Sequence, residues 1–155
     1  MINVEKFTGY LTHYYSSGSD YSNLGLLALR LVWGSLMLLH SLPMVRKPFS
    51  WMNKPPYPPM PAVLQASAAA TMFLGSLAVI AGLLFPIGAM GLVGIMAVAL
   101  ITHLRANDPL LRATPNAPVD NYEGSLVYLF IGICLVTTGP GHFCVDAWIL
   151  NLLKR

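Results

Sequence analysis

The first 23 residues mix polar and aromatic positions, include Glu5 and Asp20, and contain no apolar run, so they do not read as a secretory leader. Val4, Phe7, Leu11 and Tyr14 recur at helical spacing with Tyr10 and Tyr15 beside them, which fits either a short amphipathic helix at headgroup level or a solvated tail. From Leu24 to Leu42 the pattern turns apolar, interrupted by Arg30, His40 and small hydroxyls. At 1.5 Å per residue that stretch covers roughly 28 Å, close to the thickness of a bilayer core. Arg30 costs about 2.5–3.5 kcal/mol on the insertion scale, and the nine leucines of the stretch recover about as much. Pro43 is expected to end this helix. The seven prolines from Pro43 to Pro61, with Arg46, Lys47 and Lys54 among them, predict an extended connection, and Trp51 and Tyr57 are expected there as interface anchors.

Ala62 to Leu104 holds no Asp, Glu, Lys or Arg. As one helix it would measure roughly 65 Å, twice a bilayer core, so it must fold back once. Phe85-Pro86-Ile87-Gly88 is the expected break. Arg105 to Asn121 is polar, and a fourth span is expected from Tyr122 to Thr138, stopped by Gly139-Pro140-Gly141. Val145, Trp148, Ile149, Leu152 and Leu153 then share one helical face ahead of Lys154 and Arg155, the pattern of an interfacial helix.

The predicted fold is all-α, a transmembrane four-helix up-down bundle with flanking interfacial helices. Its expected parts are an N-terminal interfacial segment over residues 1–23, the bundle over 24–142 and a C-terminal amphipathic helix over 143–155. Gly88, Gly91 and Gly94 on the third span, and Ser67, Thr71 and Gly75 on the second, form rows of small residues expected to serve close helix contact. Four spans place both termini and the Pro86 hairpin on one side. The loop side carries Arg46, Lys47, Lys54, Arg105 and Arg112 against Lys6, Lys154 and Arg155 opposite, a small lean of the loops toward the cytoplasm that leaves orientation open.

Composition supports the same placement. Of 155 residues, 55% are hydrophobic and 10% charged, and the mean hydropathy is +0.62. Nine basic and six acidic side chains could not cover a soluble surface of this size. The net charge of +3 is scattered rather than gathered into a stripe, which gives no support to a nucleic-acid partner. Cys134 and Cys144 have neither a CxxC nor a zinc spacing, no metal site is expected, and both read first as small packing residues. Met37, Met72, Met90 and Met96 read as lipid-facing or gap-filling, not as copper ligands.

Candidate chemistry comes from topology. His40 closes the first span, His103 the third, and Tyr122 and Glu123 open the fourth, so His40, His103 and Glu123 are expected at similar depth on the loop side. Imidazoles and a carboxylate at a low-dielectric boundary suit proton relay, hydrogen bonding to a quinone carbonyl, or a metal; each equally suits solvation at the interface or helix capping. His40 with His103 also offers two axial haem ligands, but nothing around them specifies a tetrapyrrole. Arg30 lies deeper, and a pair with Asp146 holding the C-terminal segment to the bundle is favoured over Arg30 acting on an anionic or quinone ligand. His13 and His142 sit in polar or interfacial stretches.

Leu24-Gly25-Leu26-Leu27-Ala28-Leu29-Arg30-Leu31, His40, Pro86-Ile87-Gly88, Thr102-His103-Leu104, Asn121-Tyr122-Glu123 and Gly139-Pro140-Gly141 through Asp146, in that order and spacing, resemble the DoxX family of small four-span membrane proteins. The resemblance runs from about Leu24 to Leu150. It implies a bacterial up-down bundle in an inner, respiratory or photosynthetic membrane, loosely tied to redox chemistry. Some relatives form the membrane part of thiosulfate:quinone oxidoreductase and others accompany detoxifying enzymes. Arg30, His103, Glu123 and Asp146 fall on the family's recurrent polar positions. Three departures stand out: Met72 where relatives commonly carry an acid, Cys144 in place of the usual Ser, and the added Pro-rich connection and Tyr-rich N-terminus. The expected role is therefore an accessory subunit of an electron-transfer or other bioenergetic membrane complex, with other membrane subunits as partners and a quinone- or lipid-contacting pocket. The alternative is a quinone-linked oxidoreductase subunit using the His/Glu cluster for proton transfer.

Overall fold

The structure is a computed structural model that describes Gly9 and residues 13–15, 18–53, 59–111 and 121–153. Most of the expected N-terminal stripe (Val4, Phe7, Tyr10, Leu11) lies outside the described residues, as do Tyr57, Lys54 and Arg112. The elements are helical throughout: α1 (Asp20–Arg46), α2 (Ala62–Ala81), α3 (Phe85–Arg105), α4 (Glu123–Thr138) and α5 (Val145–Leu153). Among the described residues α1, α2 and α3 are long and apolar enough to cross a membrane. The apolar α4 has 16 residues, about 24 Å, and falls short of a full hydrocarbon core.

α1 outruns the predicted span at both ends. Ser19 caps it, its Oγ accepting the Ser22 N–H at 3.4 Å, and Asp20 puts a carboxylate in the first turn, where the helix dipole favours it. Pro43 does not end α1 but sits inside it. A proline removes one bond, here to the Leu39 carbonyl, and in the last turn there is little helix left to break; the Lys47 N–H closes on Met44 O at 3.2 Å.

The hairpin between α2 and α3 also breaks earlier than expected, at Gly82-Leu83-Leu84 instead of at Phe85-Pro86-Ile87-Gly88. Gly82 adopts φ 66°, and the Leu83 N–H reaches back to Ala78 O at 3.0 Å, a Schellman closure of α2. Pro86 then falls in the first turn of α3, where no N–H is needed.

The helices pack in sequence, α1 on α2, α2 on α3 and α3 on α4, while α1 and α4 touch sparsely. Trp33 fills the space between them. It is almost wholly buried, and its indole lies so close to Gly132 of α4 that a Cβ there would stand 2.9 Å from the ring. Met37, Met72 and Met96 join Phe85, Leu92, Val79 and Leu135 in the same core, whereas Met90 faces outward. Cys134 is exposed on α4, on the outside of the bundle and not in its core.

The small-residue rows divide in two. At the hairpin end Gly75 and Gly88 bring the backbones together: a Cβ on either would meet the other's carbonyl at 3.1 Å. The seam still holds at Thr71 and Gly91, where a Cβ on Gly91 would stand 2.9 Å from Thr71 Cγ2, and opens beyond them toward the loops, where a Cβ on Gly94 would meet nothing within 4 Å. α2 and α3 therefore touch near the hairpin and leave a groove near the loops.

Candidate functional site

That groove encloses about 660 Å³, within the usual range of small-molecule sites. Its floor and sides are Leu64, Ser67 and Thr71 of α2 with Gly91, Gly94, Val98 and His103 of α3, and Trp51, Met52 and Met60 bound it on the loop side. Leu64, Ser67, Thr71, Gly94 and Val98 are all exposed, so the groove lies on the outer surface of the bundle. Two of its three hydroxyls are turned back on their own helices: Ser67 Oγ donates to Leu64 O at 3.0 Å and Thr102 Oγ1 to Val98 O at 2.8 Å. The lining presented to an occupant is mainly apolar, with Thr71 on one wall and His103 at one end.

There α3 stops and the chain turns back. Asn107 takes φ 56°, and the Asp108 N–H reaches His103 O at 3.1 Å. That turn sets the Asp108 carboxylate, 5% exposed, 2.7 Å from His103 Nδ1. A carboxylate on one imidazole nitrogen fixes the ring's orientation. Asp108 went unread in the sequence; an acid five residues beyond a span-terminal histidine, after an Asn that tolerates left-handed backbone, was the available signal.

His40, His103 and Glu123 each have different surroundings, and among the described residues no hydrogen bond or ion pair joins the three. His40 is exposed, with Nδ1 2.9 Å from Leu36 O one turn back and the ring edge-on to Tyr128 of α4 at 5.8 Å. Glu123 is exposed at the start of α4, beside Asn121 at 3.5 Å. Of the three, His103 alone lines the groove.

Arg30 and Asp146 form a second polar centre at the opposite end, by a route other than the expected direct pair. The Arg30 guanidinium, 2% exposed, donates to Pro140 O at 3.1 Å and Phe143 O at 2.6 Å. These carbonyls belong to the irregular run after α4, where no helix supplies donors, and a planar fork can serve two of them at once. Asn23, two turns before Arg30 on the same face of α1, accepts the His142 N–H through Oδ1 at 3.1 Å. Asp146 instead caps α3: its Oδ1 accepts the Leu84 N–H and its Oδ2 the Phe85 N–H, both at 2.9 Å. Tyr15 OH donates to the same Oδ2 at 3.1 Å. Burial, then the negative charge of Asp146 and the bond to it, push the Tyr15 phenol above its usual range. Cys144 caps α5, its Sγ accepting the Ala147 N–H at 3.4 Å. Burial raises its thiol pKa against the pull of that N–H and of the Arg30 guanidinium, so it stays protonated at neutral pH. The centre reads as a staple holding α5 to the hairpin.

The DoxX family model matches residues 25–105, just over half the chain. The chain belongs to the DoxX family. No curated protein and no solved structure matches it. The matched stretch of this DoxX protein contains Arg30, the α2–α3 hairpin, the groove walls and His103, and its three long apolar helices make it an integral membrane protein.

Proposed function

We propose that this DoxX protein holds a quinone-class, ring-headed lipid in the α2–α3 groove and serves as an accessory membrane subunit of an electron-transfer assembly. The observation that carries this reading is the coincidence of a ligand-sized, outward-facing apolar groove with the His103–Asp108 pair at its one polar end. Such a lipid needs room for a flat ring, an apolar track for its chain and a hydrogen-bonding group near a ring oxygen. Gly94 supplies the room, Val98 and Leu64 the track, and His103 the polar contact. The quinone class supplies reversible electron and proton uptake when bound; this chain's part is to seat it and hold a proton at His103. The accessory role is supported by the family resemblance and by Met72, fully in the core, where relatives commonly carry an acid.

The test uses the full chain in nanodiscs, titrated with decylubiquinone while tryptophan emission is followed. Saturable quenching, abolished by Gly94→Leu and weakened about tenfold by His103→Ala, is the expected result. Absence of saturable quenching in the wild type overturns the groove reading. Co-purification in mild detergent tests the accessory role, and a chain that purifies alone and monomeric overturns it.

A further inference from the structure

One buried amide holds the loop-side boundary of the groove. Gln65 lies in the first turn of α2 and is 0% exposed. Its Nε2 donates to Asn53 Oδ1 at 2.9 Å and to Met60 O at 2.8 Å, and its Oε1 accepts the Met52 N–H at 3.0 Å. Its backbone carbonyl accepts the Trp51 indole N–H, also at 3.0 Å. Both amide donors and the amide acceptor are therefore used, and they grip the two ends of the connection between α1 and α2. Of the groove-bounding residues, Met52 and Met60 are thereby tied to the Gln65 side chain, and Trp51 to its backbone carbonyl.

Few side chains could do this. A primary amide offers two donors and an acceptor in one plane. Glutamate keeps the shape but turns the donors into acceptors facing Met60 O and Asn53 Oδ1. Leucine keeps the volume and strands the Met52 N–H and Met60 O. The burial is not incidental to a solvated helix start, since Gln65 continues the inward stripe of Ala69, Met72, Ser76 and Val79.

We infer that Gln65 is a positioning residue whose side chain fixes the width of the groove where Met52 and Met60 bound it, and so the bulk of the headgroup that the groove admits. The inference rests on the groove being a binding site, but it is tested without the ligand. In a Cys134→Ser background, Gly94→Cys places a thiol on the groove floor. Its modification by N-ethylmaleimide is compared with that by a bulky fluorescein maleimide, in nanodiscs. The expected result is that Gln65→Leu and Gln65→Glu each raise the bulky-to-small rate ratio at least fivefold while helical circular dichroism is unchanged. A ratio within twofold of the Gln65 protein in either variant overturns the inference. Should the Gln65 variants fail to fold, Asn53→Ala removes one of the bonds at an exposed residue and is expected to raise the ratio about twofold; an unchanged ratio there overturns it equally. Decylubiquinone binding to the wild type is scored separately, so loss of the ligand reading and loss of the Gln65 reading give different results.

Discussion

The hydroxyl of Tyr14 donates to the carbonyl of Val136 at 2.9 Å across the N-terminal segment and the end of α4. Val136 O is the carbonyl that residue 140 would serve in a continuing helix, and residue 140 is a proline without an N–H. A side chain from far away in sequence thus completes a helix end that proline left open. Tyr14→Phe is expected to cost about 1 kcal/mol, with little change in shape. Thermal unfolding in detergent should show a lower midpoint and unchanged helix content.

Asp146→Asn tests the cap on α3. The amide keeps one acceptor and loses the charge that suits a helix N-terminus, so a loss of about 1–2 kcal/mol is expected from unfolding curves. The variant also changes the alkaline limb of stability. A phenol whose native pKa lies above its unfolded value stabilises the fold fully below about pH 10, and that contribution is lost as the pH climbs through the native value. The alkaline loss assigned to Tyr15 should shrink when Asp146 no longer carries the charge that raises the phenol.

Arg30→Lys is expected to fail as a replacement. An ammonium cannot reproduce the fork that reaches Pro140 O and Phe143 O together, and one carbonyl is left buried without a donor at about 1–3 kcal/mol. Faster proteolysis within α5, with the α1–α3 core still protected, is the outcome to look for.

Gly88→Val and Gly94→Ala should separate the two halves of the small-residue rows. At Gly88 a Cβ would stand 2.9 Å from the Ala78 Cβ, so a valine must force α2 and α3 apart at a cost of about 1–3 kcal/mol. At Gly94 the added methyl meets open space and gains helix propensity of roughly 0.5–1 kcal/mol. Unfolding midpoints should move in opposite directions.

Asp108→Asn is expected to weaken decylubiquinone binding about tenfold, roughly 1.4 kcal/mol, while helix content holds. An unchanged affinity would leave Asp108 as a turn residue only.

Much of this architecture was legible because lipid demands long apolar runs and leaves few other patterns. The spans, the fold-back within Ala62–Leu104 and the amphipathic Val145–Leu153 helix all follow from that demand. Boundaries were less legible where one residue's effect depends on its position within a helix. Pro43 was harmless in a last turn, and Pro86 began a helix instead of breaking one. The site was read in part. His103 lines the groove, whereas His40 and Glu123 have other neighbours, since equal depth along a bundle does not decide which helix faces meet. Gln65 stands on the inward stripe, but a neutral amide carries no charge to mark it, and its partners lie in an irregular connection. Arg30 and Asp146 each bond backbone groups in or beside the irregular segments, partners that a sequence does not display.

The outward exposure of the groove walls has a consequence for any occupant. A molecule seated between α2 and α3 arrives by sideways diffusion and displaces acyl chains present at enormous local abundance. Its occupancy then follows its mole fraction among the lipids, so diluting the same protein and quinone into more phospholipid should empty the groove even when nothing in the aqueous phase has changed.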